Sequence, residues 1–195
     1  MNDLPLASVV IPNWNGARYL PVCLQALRRQ SYAPLETIVV DNASGDDSRA
    51  LLQRDFPEVR VLALSENRGF AGGVNAGIRA ARGEIVALLN NDTEAEPQWL
   101  AELVAALQAH PEAGAAVGKL KLFDRRDTIQ SAGDGFRTDG IPVMRGVWQR
   151  DEGQYEREEF VFGGCGGAVA YRRAMLEHIG LLDEDLYFSC EDVDL

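Results

Sequence analysis

Cysteine is scarce in this 195-residue chain: Cys23, Cys165 and Cys190 are odd in number and show no paired spacing, which argues against a disulfide framework and a zinc site. Reduced thiols of a cytosolic protein fit that usage. Long apolar runs are missing too, since none approaches the roughly 20 residues that a membrane-spanning helix needs. The first residues, Met1-Asn2-Asp3-Leu4-Pro5, lack the basic start of a secretory leader, so the chain reads as soluble and cytoplasmic. Basic residues are outnumbered, 19 Lys and Arg against 30 Asp and Glu, and the net charge of −11 argues against a nucleic-acid backbone as partner and against simple adhesion to anionic lipid. An acidic protein still binds a nucleotide when a divalent cation and a few local donors neutralise the phosphates.

Two common nucleotide fingerprints are also absent. The glycine-rich residues 69–77 contain no G-x-G-x-x-G, and the first apolar run leads into Asn13-Trp14-Asn15-Gly16 rather than a glycine turn. Gly114-Ala115-Ala116-Val117-Gly118-Lys119 falls one residue short of a phosphate-binding loop and is followed by Leu120 instead of Ser or Thr. A plain dinucleotide-dependent oxidoreductase is disfavoured on that ground.

What is present is an ordinary globular composition, 46% hydrophobic and 25% charged. Ile85-Val86-Ala87-Leu88-Leu89 carries no charge, reads as a strand buried on both faces, and gives way to Asn90-Asn91-Asp92-Thr93. Ser8-Val9-Val10-Ile11-Pro12 gives way to Asn13-Trp14-Asn15 in the same manner, and Thr37-Ile38-Val39-Val40 to Asp41-Asn42. Open α/β sheets bind ligands beyond the carboxyl ends of such strands. One polar ending is readily explained as a turn or helix cap, but three of one design favour a site.

Between these runs the spacing predicts a helix over residues 17–29 with Leu20, Leu24 and Leu27 inward, and a second strand over 35–40. A turn over 41–48 carries acids that suit the positive end of a helix bearing Leu51 and Leu52; a third strand over 59–64 and a helix opening within 66–77 and running to about residue 82 follow. The series predicts an α/β fold with a mostly parallel central sheet flanked by helices, right-handed crossovers setting successive strands side by side. Pro97 opens a further helix with Leu100, Leu103, Val104 and Leu107 as its buried stripe and its end at His110-Pro111. Residues 115–122 read as a strand, and 124–159 as a long excursion or small hairpin with a strand-like piece at 141–147. Phe160-Val161-Phe162, the turn Gly163-Gly164-Cys165-Gly166-Gly167, a strand over 168–171 and a helix over 173–179 close the pattern.

Several polar groups stand out chemically. Arg68, beside the glycines, suits a phosphate or base contact as well as a solvated charge. Asn90-Asn91-Asp92 offers hard oxygen ligands, and Mg²⁺ or Mn²⁺ prefers one or two carboxylates completed by substrate phosphates. Glu191, Asp192 and Asp194 cluster near the end, where neighbouring carboxylates raise one another's proton affinity toward that of a general base. The apolar Leu186-Tyr187-Phe188 before them is expected to pin the cluster against the core.

Taken together, Val9-Val10-Ile11-Pro12-Asn13-Trp14-Asn15, Val40-Asp41-Asn42-Ala43-Ser44, Glu66-Asn67-Arg68-Gly69-Phe70-Ala71-Gly72-Gly73-Val74-Asn75-Ala76-Gly77, Leu89-Asn90-Asn91-Asp92-Thr93 and Phe188-Ser189-Cys190-Glu191-Asp192-Val193-Asp194-Leu195 resemble glycosyltransferase family 2, in particular its bacterial rhamnosyltransferase-like branch. The likeness spans essentially the whole chain. It implies a GT-A fold, a Rossmann-like nucleotide-diphospho-sugar transferase architecture, as one domain over 1–195: a nucleotide-sugar-binding half at 1–123 and an acceptor-side half at 124–195. It further implies inverting, metal-dependent transfer from a nucleotide-diphosphate sugar, dTDP-rhamnose or a UDP-sugar, to a saccharide or lipid-linked acceptor in cell-surface polysaccharide synthesis, at the inner face of the membrane.

By the same resemblance, Asp41 matches the position that hydrogen-bonds the base, and Pro12, Asn13, Trp14 and Asn15 line that pocket. Asn67, Arg68, Asn75, Asn90 and Asn91 belong to the donor-binding set, and Gly164 and Gly166 to the turn that faces donor sugar and acceptor. Asp92 matches the metal-binding Asp, for Mg²⁺ or Mn²⁺, while Asn90 stands where the family's D-x-D has its first Asp and leaves the metal held by fewer charges. Asp192 matches the general base, with Glu191 the less favoured of the pair. Members normally continue past this Glu-Asp motif through a helix that helps hold the acceptor, and this sequence stops three residues after Asp192, which reads as a truncation. A nucleotide-sugar-binding module without turnover is the alternative.

Overall fold

The computed structural model describes residues 4–195; the leader reading that involved residues 1–3 lies partly outside the described residues. The chain runs through β1 (Ala7–Asn13), α1 (Leu20–Arg28), β2 (Leu35–Asp41), α2 (Ser48–Asp55), β3 (Arg60–Ala63), α3 (Gly69–Ala80), β4 (Ile85–Leu89) and α4 (Trp99–Ala109). It continues through β5 (Ala115–Val117), β6 (Leu120–Lys121), β7 (Ile129–Ser131), β8 (Asp134–Phe136), β9 (Pro142–Met144), β10 (Ala168–Arg172), α5 (Arg173–Ile179), a 3-10 turn at Glu184–Leu186 and α6 (Glu191–Asp194).

Six strands form the central sheet in the order β3-β2-β1-β4-β10-β5, with β1 to β4 mutually parallel and β10 antiparallel to both its neighbours. Successive strands lie side by side only from β1 to β3. The chain then returns to the other side of β1 to lay down β4, so the expected adjacency of β3 and β4 is corrected, and the reversal creates a switch point at the carboxyl ends of β1 and β4.

The side-chain alternation of the buried strands explains the three layers. Ala7, Val9, Ile11, Ile85, Ala87 and Leu89 pack one way with Leu20, Leu24, Leu100, Val104 and Leu107, whereas Val10, Ile38, Val40, Val86 and Leu88 pack the other way with Val74, Ile78 and Leu176. Helix α1 starts at Leu20 with Pro21 in its first turn, where the missing N–H costs nothing, three residues later than the spacing indicated. Helix α3 is largely glycine and alanine on its buried face because it lies directly on the sheet. A Cβ added to Gly77 would sit 2.3 Å from Val10 Cγ1 and 2.9 Å from Val40 Cγ2.

At the end of the sheet opposite the polar strand endings, Glu36 forms a brace. Its Oε1 accepts from Ser8 Oγ at 2.6 Å and from the Arg82 N–H at 2.7 Å, and its Oε2 from Arg82 Nε at 2.9 Å. Burial pushes this carboxyl up, but the bonds from Ser8 and Arg82 outweigh it and leave Glu36 below its ordinary value.

Three expectations fail in detail. Residues 115–122 break at Gly118-Lys119 into β5, which joins the main sheet, and β6, which pairs with β7. The 124–159 excursion folds into that small pair and a β8-β9 hairpin, with only residues 142–144 of the proposed 141–147 piece as strand. Leu186, Tyr187 and Phe188 are exposed, the last by 73%, so they do not pin the acidic cluster to the core.

Candidate active site

Parallel pairing sets the strand ends in register: Asn13 lies opposite Asp41, and β4 leaves the sheet at Asn90 on the other side of β1. Hydrogen bonds then connect this edge across the molecule. Asn91 Nδ2 donates to Asn13 Oδ1 at 2.7 Å, the Asn90 N–H to Gly167 O at 2.9 Å, and the Gly166 N–H to Asp192 Oδ2 at 2.9 Å. Because β10 runs antiparallel, its leading turn, residues 163–167, arrives at the edge where β4 ends. Asp41, Asp92 and Asp192, up to 151 positions apart in sequence, therefore border one edge.

Asp41 is fully buried, and neither of its carboxylate oxygens has a hydrogen-bond partner among the described residues. Arg49 Nε lies 3.6 Å from its Oδ2. A buried carboxylate left without donors is costly unless something else supplies them. Asp92 is exposed just past β4. Beside it, Asn90 Oδ1 is buried without a partner, and Cys23 Sγ donates to Asn90 O at 3.6 Å. Burial, then the Asp92 charge, pushes the Cys23 thiol up to about 12, so it stays protonated as a packing group.

At the far end Asp192 is half-buried, whereas Glu191 is buried with Oε2 unpartnered. Burial, then the neighbouring Asp192 charge, raises the Glu191 carboxyl. Asp134 is raised by the same two causes in the same order, against a lowering bond from Ser131. Asp192 also borders a cavity of about 900 Å³ walled by Val117, Phe160, Phe162, Tyr171 and Met175.

Other residues expected in the donor-binding set also hold the loops around the strand ends. Asn15 Oδ1 accepts from the Gly45 N–H at 2.8 Å; Asn67 Oδ1 accepts from Asn42 Nδ2 and the Gly69 N–H, both at 2.9 Å. Asn75 is buried in α3, where its amide donates to Leu182 O and Glu184 Oε1 and accepts from the Leu182 N–H, so its side chain is spent on the C-terminal segment. A Cβ added to Gly164 would run into Val117, so the turn lies close against β5 there. Pro12 is half-buried; Trp14, 58% exposed, and Arg68, whose Nε lies 3.9 Å from Glu66 Oε1, stand exposed at the rim.

The segment before Asp192 is strained. Tyr187, Ser189 and Cys190 have φ of 52°, 88° and 69°, values that residues other than glycine seldom adopt. The Phe70 N–H donates to Tyr187 O at 2.8 Å, and only glycine fits at residue 69, whose added Cβ would lie 2.5 Å from that oxygen. Sequence reading missed Arg49, which lies on α2 eight positions after Asp41, and Asp134 and Glu184, whose contacts cross between distant segments.

A family model described as "Glycosyl transferase family 2" matches residues 8–180. An uncharacterized glycosyltransferase of Nostoc is 35% identical over 129 residues, covering 64% of this chain and 40% of that protein. The succinoglycan biosynthesis protein ExoO of Rhizobium meliloti is 31% identical over 138 residues, covering 70% of this chain and 38% of its own length. The chain thus spans about two fifths of those relatives. Among solved structures, Staphylococcus aureus TarS 1-349 superimposes with a TM-score of 0.71 at 20% identity, covering 96% of this chain and 53% of that one. A mannosyltransferase of Pyrobaculum calidifontis, solved with GDP-Man and Mn²⁺, gives 0.66 at 24% identity, covering 98% and 50%. The fold is GT-A-like, an α/β sandwich on a mostly parallel sheet.

Proposed function

The chain belongs to glycosyltransferase family 2, and from that premise we propose that it is the donor-binding and catalytic part of an inverting glycosyltransferase acting in surface-polysaccharide synthesis. The observation that supports the reading is the bonded line from Asn13 through Asn91, Asn90, Gly167 and Gly166 to Asp192, beside which Asp41 ends β2 and Asp92 follows β4. The donor is a nucleotide-diphosphate sugar, a UDP-sugar or dTDP-rhamnose, and the acceptor a saccharide or lipid-linked saccharide. Residues 1–123 hold the donor, and 124–195 form the acceptor side of the same domain.

In this scheme Asp41 accepts an N–H of the base and the rim residues Trp14 and Arg68 cover the nucleotide. Asp192, fixed by the Gly166 N–H, takes the proton from an acceptor hydroxyl. That oxygen bonds to the anomeric carbon as the bond from that carbon to the diphosphate breaks, on the opposite face, which inverts the centre. Asp92, with the unpartnered Asn90 Oδ1 nearby, fits a hard cation shared with phosphates, although no group of three acidic, His or Cys side chains forms a metal cage among the described residues. Bound Mg²⁺ or Mn²⁺ would supply charge to offset the departing diphosphate. No helix of the described residues is long and apolar enough to cross a membrane; association with its inner face belongs to this proposal.

Asp192→Asn tests the assignment. Transfer, or slow donor hydrolysis, should be lost while nucleotide affinity measured by calorimetry stays within about twofold, because the substitution keeps size and removes only the base. Loss of nucleotide binding instead would mean that Asp192 belongs to the donor pocket.

A further inference from the structure

Residues 183–190, which lead into Asp192, are all exposed, so no apolar burial fixes them. Among the described residues, every hydrogen bond that residues 182–190 make to the body of the molecule is made with α3. At one end the buried Asn75 grips Leu182 as a neighbouring strand would: its Nδ2 donates to Leu182 O at 2.8 Å and its Oδ1 accepts the Leu182 N–H at 3.2 Å. Asn75 Nδ2 also donates to Glu184 Oε1 at 3.0 Å, an oxygen shared with the exposed Arg79 at 3.2 Å. At the other end the N–H groups of Phe70 and Ala71 converge on Tyr187 O, at 2.8 and 3.4 Å. From Tyr187 to Cys190, three residues of four have positive φ, a conformation that persists only where the surroundings impose it.

We infer that Asn75 is a positioning residue for Asp192: through Leu182 and Glu184 it holds the strap over residues 182–190 in the arrangement that delivers the Asp192 carboxylate to the Gly166 N–H. This inference rests on the reading of Asp192 as the base and adds to it the residue that sets where the base stands. Asn75 bonds Leu182 and Glu184 and not Asp192, so it acts through the strap alone. Without the amide, the N–H and carbonyl of Leu182 lose their partner, and Glu184 keeps only an exposed pair with Arg79, which is worth little in water. The strap is then held by the Tyr187 grip alone, and its positive-φ residues are free to relax and draw Asp192 away from Gly166. A displacement of about 1 Å at a reacting group is enough to cost roughly 100-fold in rate.

The test compares the unaltered chain with Asn75→Ala, the surface variant Glu184→Ala and the control Ser8→Ala, each checked for a cooperative melt. Ser8 is a buried polar residue at the opposite end of the sheet whose Oγ accepts the Gly83 N–H at 2.8 Å, so its loss weakens the fold without touching the strap. Amide exchange followed by NMR should rise about tenfold or more at Gly166 in Asn75→Ala, and by less in Glu184→Ala. Ser8→Ala should raise exchange at Gly83 and leave Gly166 as in the unaltered chain. When diphosphate release from UDP-glucose, UDP-N-acetylglucosamine and dTDP-rhamnose is followed with Mn²⁺, Asn75→Ala should lower kcat about 10–100-fold while UDP affinity stays within about twofold. The inference is overturned if Asn75→Ala, or Glu184→Ala where Asn75→Ala does not fold, keeps the Gly166 amide protected. It is also overturned if Asn75→Ala weakens UDP binding and spares kcat, which would place the amide in the donor pocket. If the unaltered chain releases diphosphate from none of the three donors, the catalytic reading itself fails, and the Gly166 amide still decides whether α3 holds the strap.

Discussion

Two adjacent carboxylates at the C-terminal end of the chain live in different environments. Asp192 has a backbone N–H holding one oxygen, and Glu191 is buried with an unpartnered oxygen and a carboxyl raised by burial and by Asp192. An acid whose folded value is raised favours the native state most where it is protonated. That benefit is full below the unfolded value of about 4.3 and is lost as pH rises through the folded value. Glu191→Gln should therefore reduce the fall in urea midpoint between mildly acidic and neutral pH while leaving transfer intact. A steeper fall, or abolished transfer, would show that the two roles are exchanged. Glu36 works in the opposite direction: its lowered carboxyl stabilises above the unfolded value and that contribution disappears as pH falls through the folded one. At this scale the strand-end residues Asp41 and Asp92 were legible because an apolar run stopping at a polar side chain marks its own edge. Arg49 and Asp134 were not: Arg49 reaches Asp41 only once the loop between β2 and α2 folds back, and Asp134 nears Asp192 only after distant segments meet.

Helix α3 shows what an element demands of its sequence. Its glycines read locally as poor helix formers or as a tight helix entry, yet the close approach to β1 and β2 at Gly77 leaves no space for even one carbon. Gly77→Ala sets a propensity gain of about 1 kcal/mol against overpacking of about 1–3 kcal/mol. The β-branched Val10 and Val40 are fully buried on a central sheet and have little room to turn, so the cost wins. The variant should melt lower and unfold at lower urea concentration; an unchanged or raised midpoint would mean that α3 rides out from the sheet freely. Element existence was largely legible: the buried stripe of α4 and the span of α5 match the spacing that announced them. Strand order and direction were not. The run that became β10 looks the same read parallel or antiparallel, and nothing local says that it inserts between β4 and β5.

At the scale of the whole molecule, a net charge of −11 makes added cations stabilising in two distinct ways. Screening of self-repulsion acts everywhere and depends on ionic strength, with a reach of about 8 Å at 0.15 M salt. A cation bound between Asp92 and a diphosphate acts at one place and needs the nucleotide present. The two separate in a melting experiment with NaCl adjusted to hold ionic strength constant. Nucleotide plus Mn²⁺ at about 100 times the dissociation constant should add about 2.7 kcal/mol, or roughly 5–10 °C for a chain of this length. Nucleotide alone should give a smaller shift and Mn²⁺ alone little. Asp92→Ala should erase the increment that Mn²⁺ adds to the nucleotide while retaining the general rise with NaCl, since one exposed charge of 30 acidic residues barely alters the overall field. If Asp92→Ala keeps the full Mn²⁺-dependent increment, the cation is held elsewhere. If NaCl reproduces that increment in the unaltered chain, the edge that joins Asp41 to Asp192 holds no specific metal.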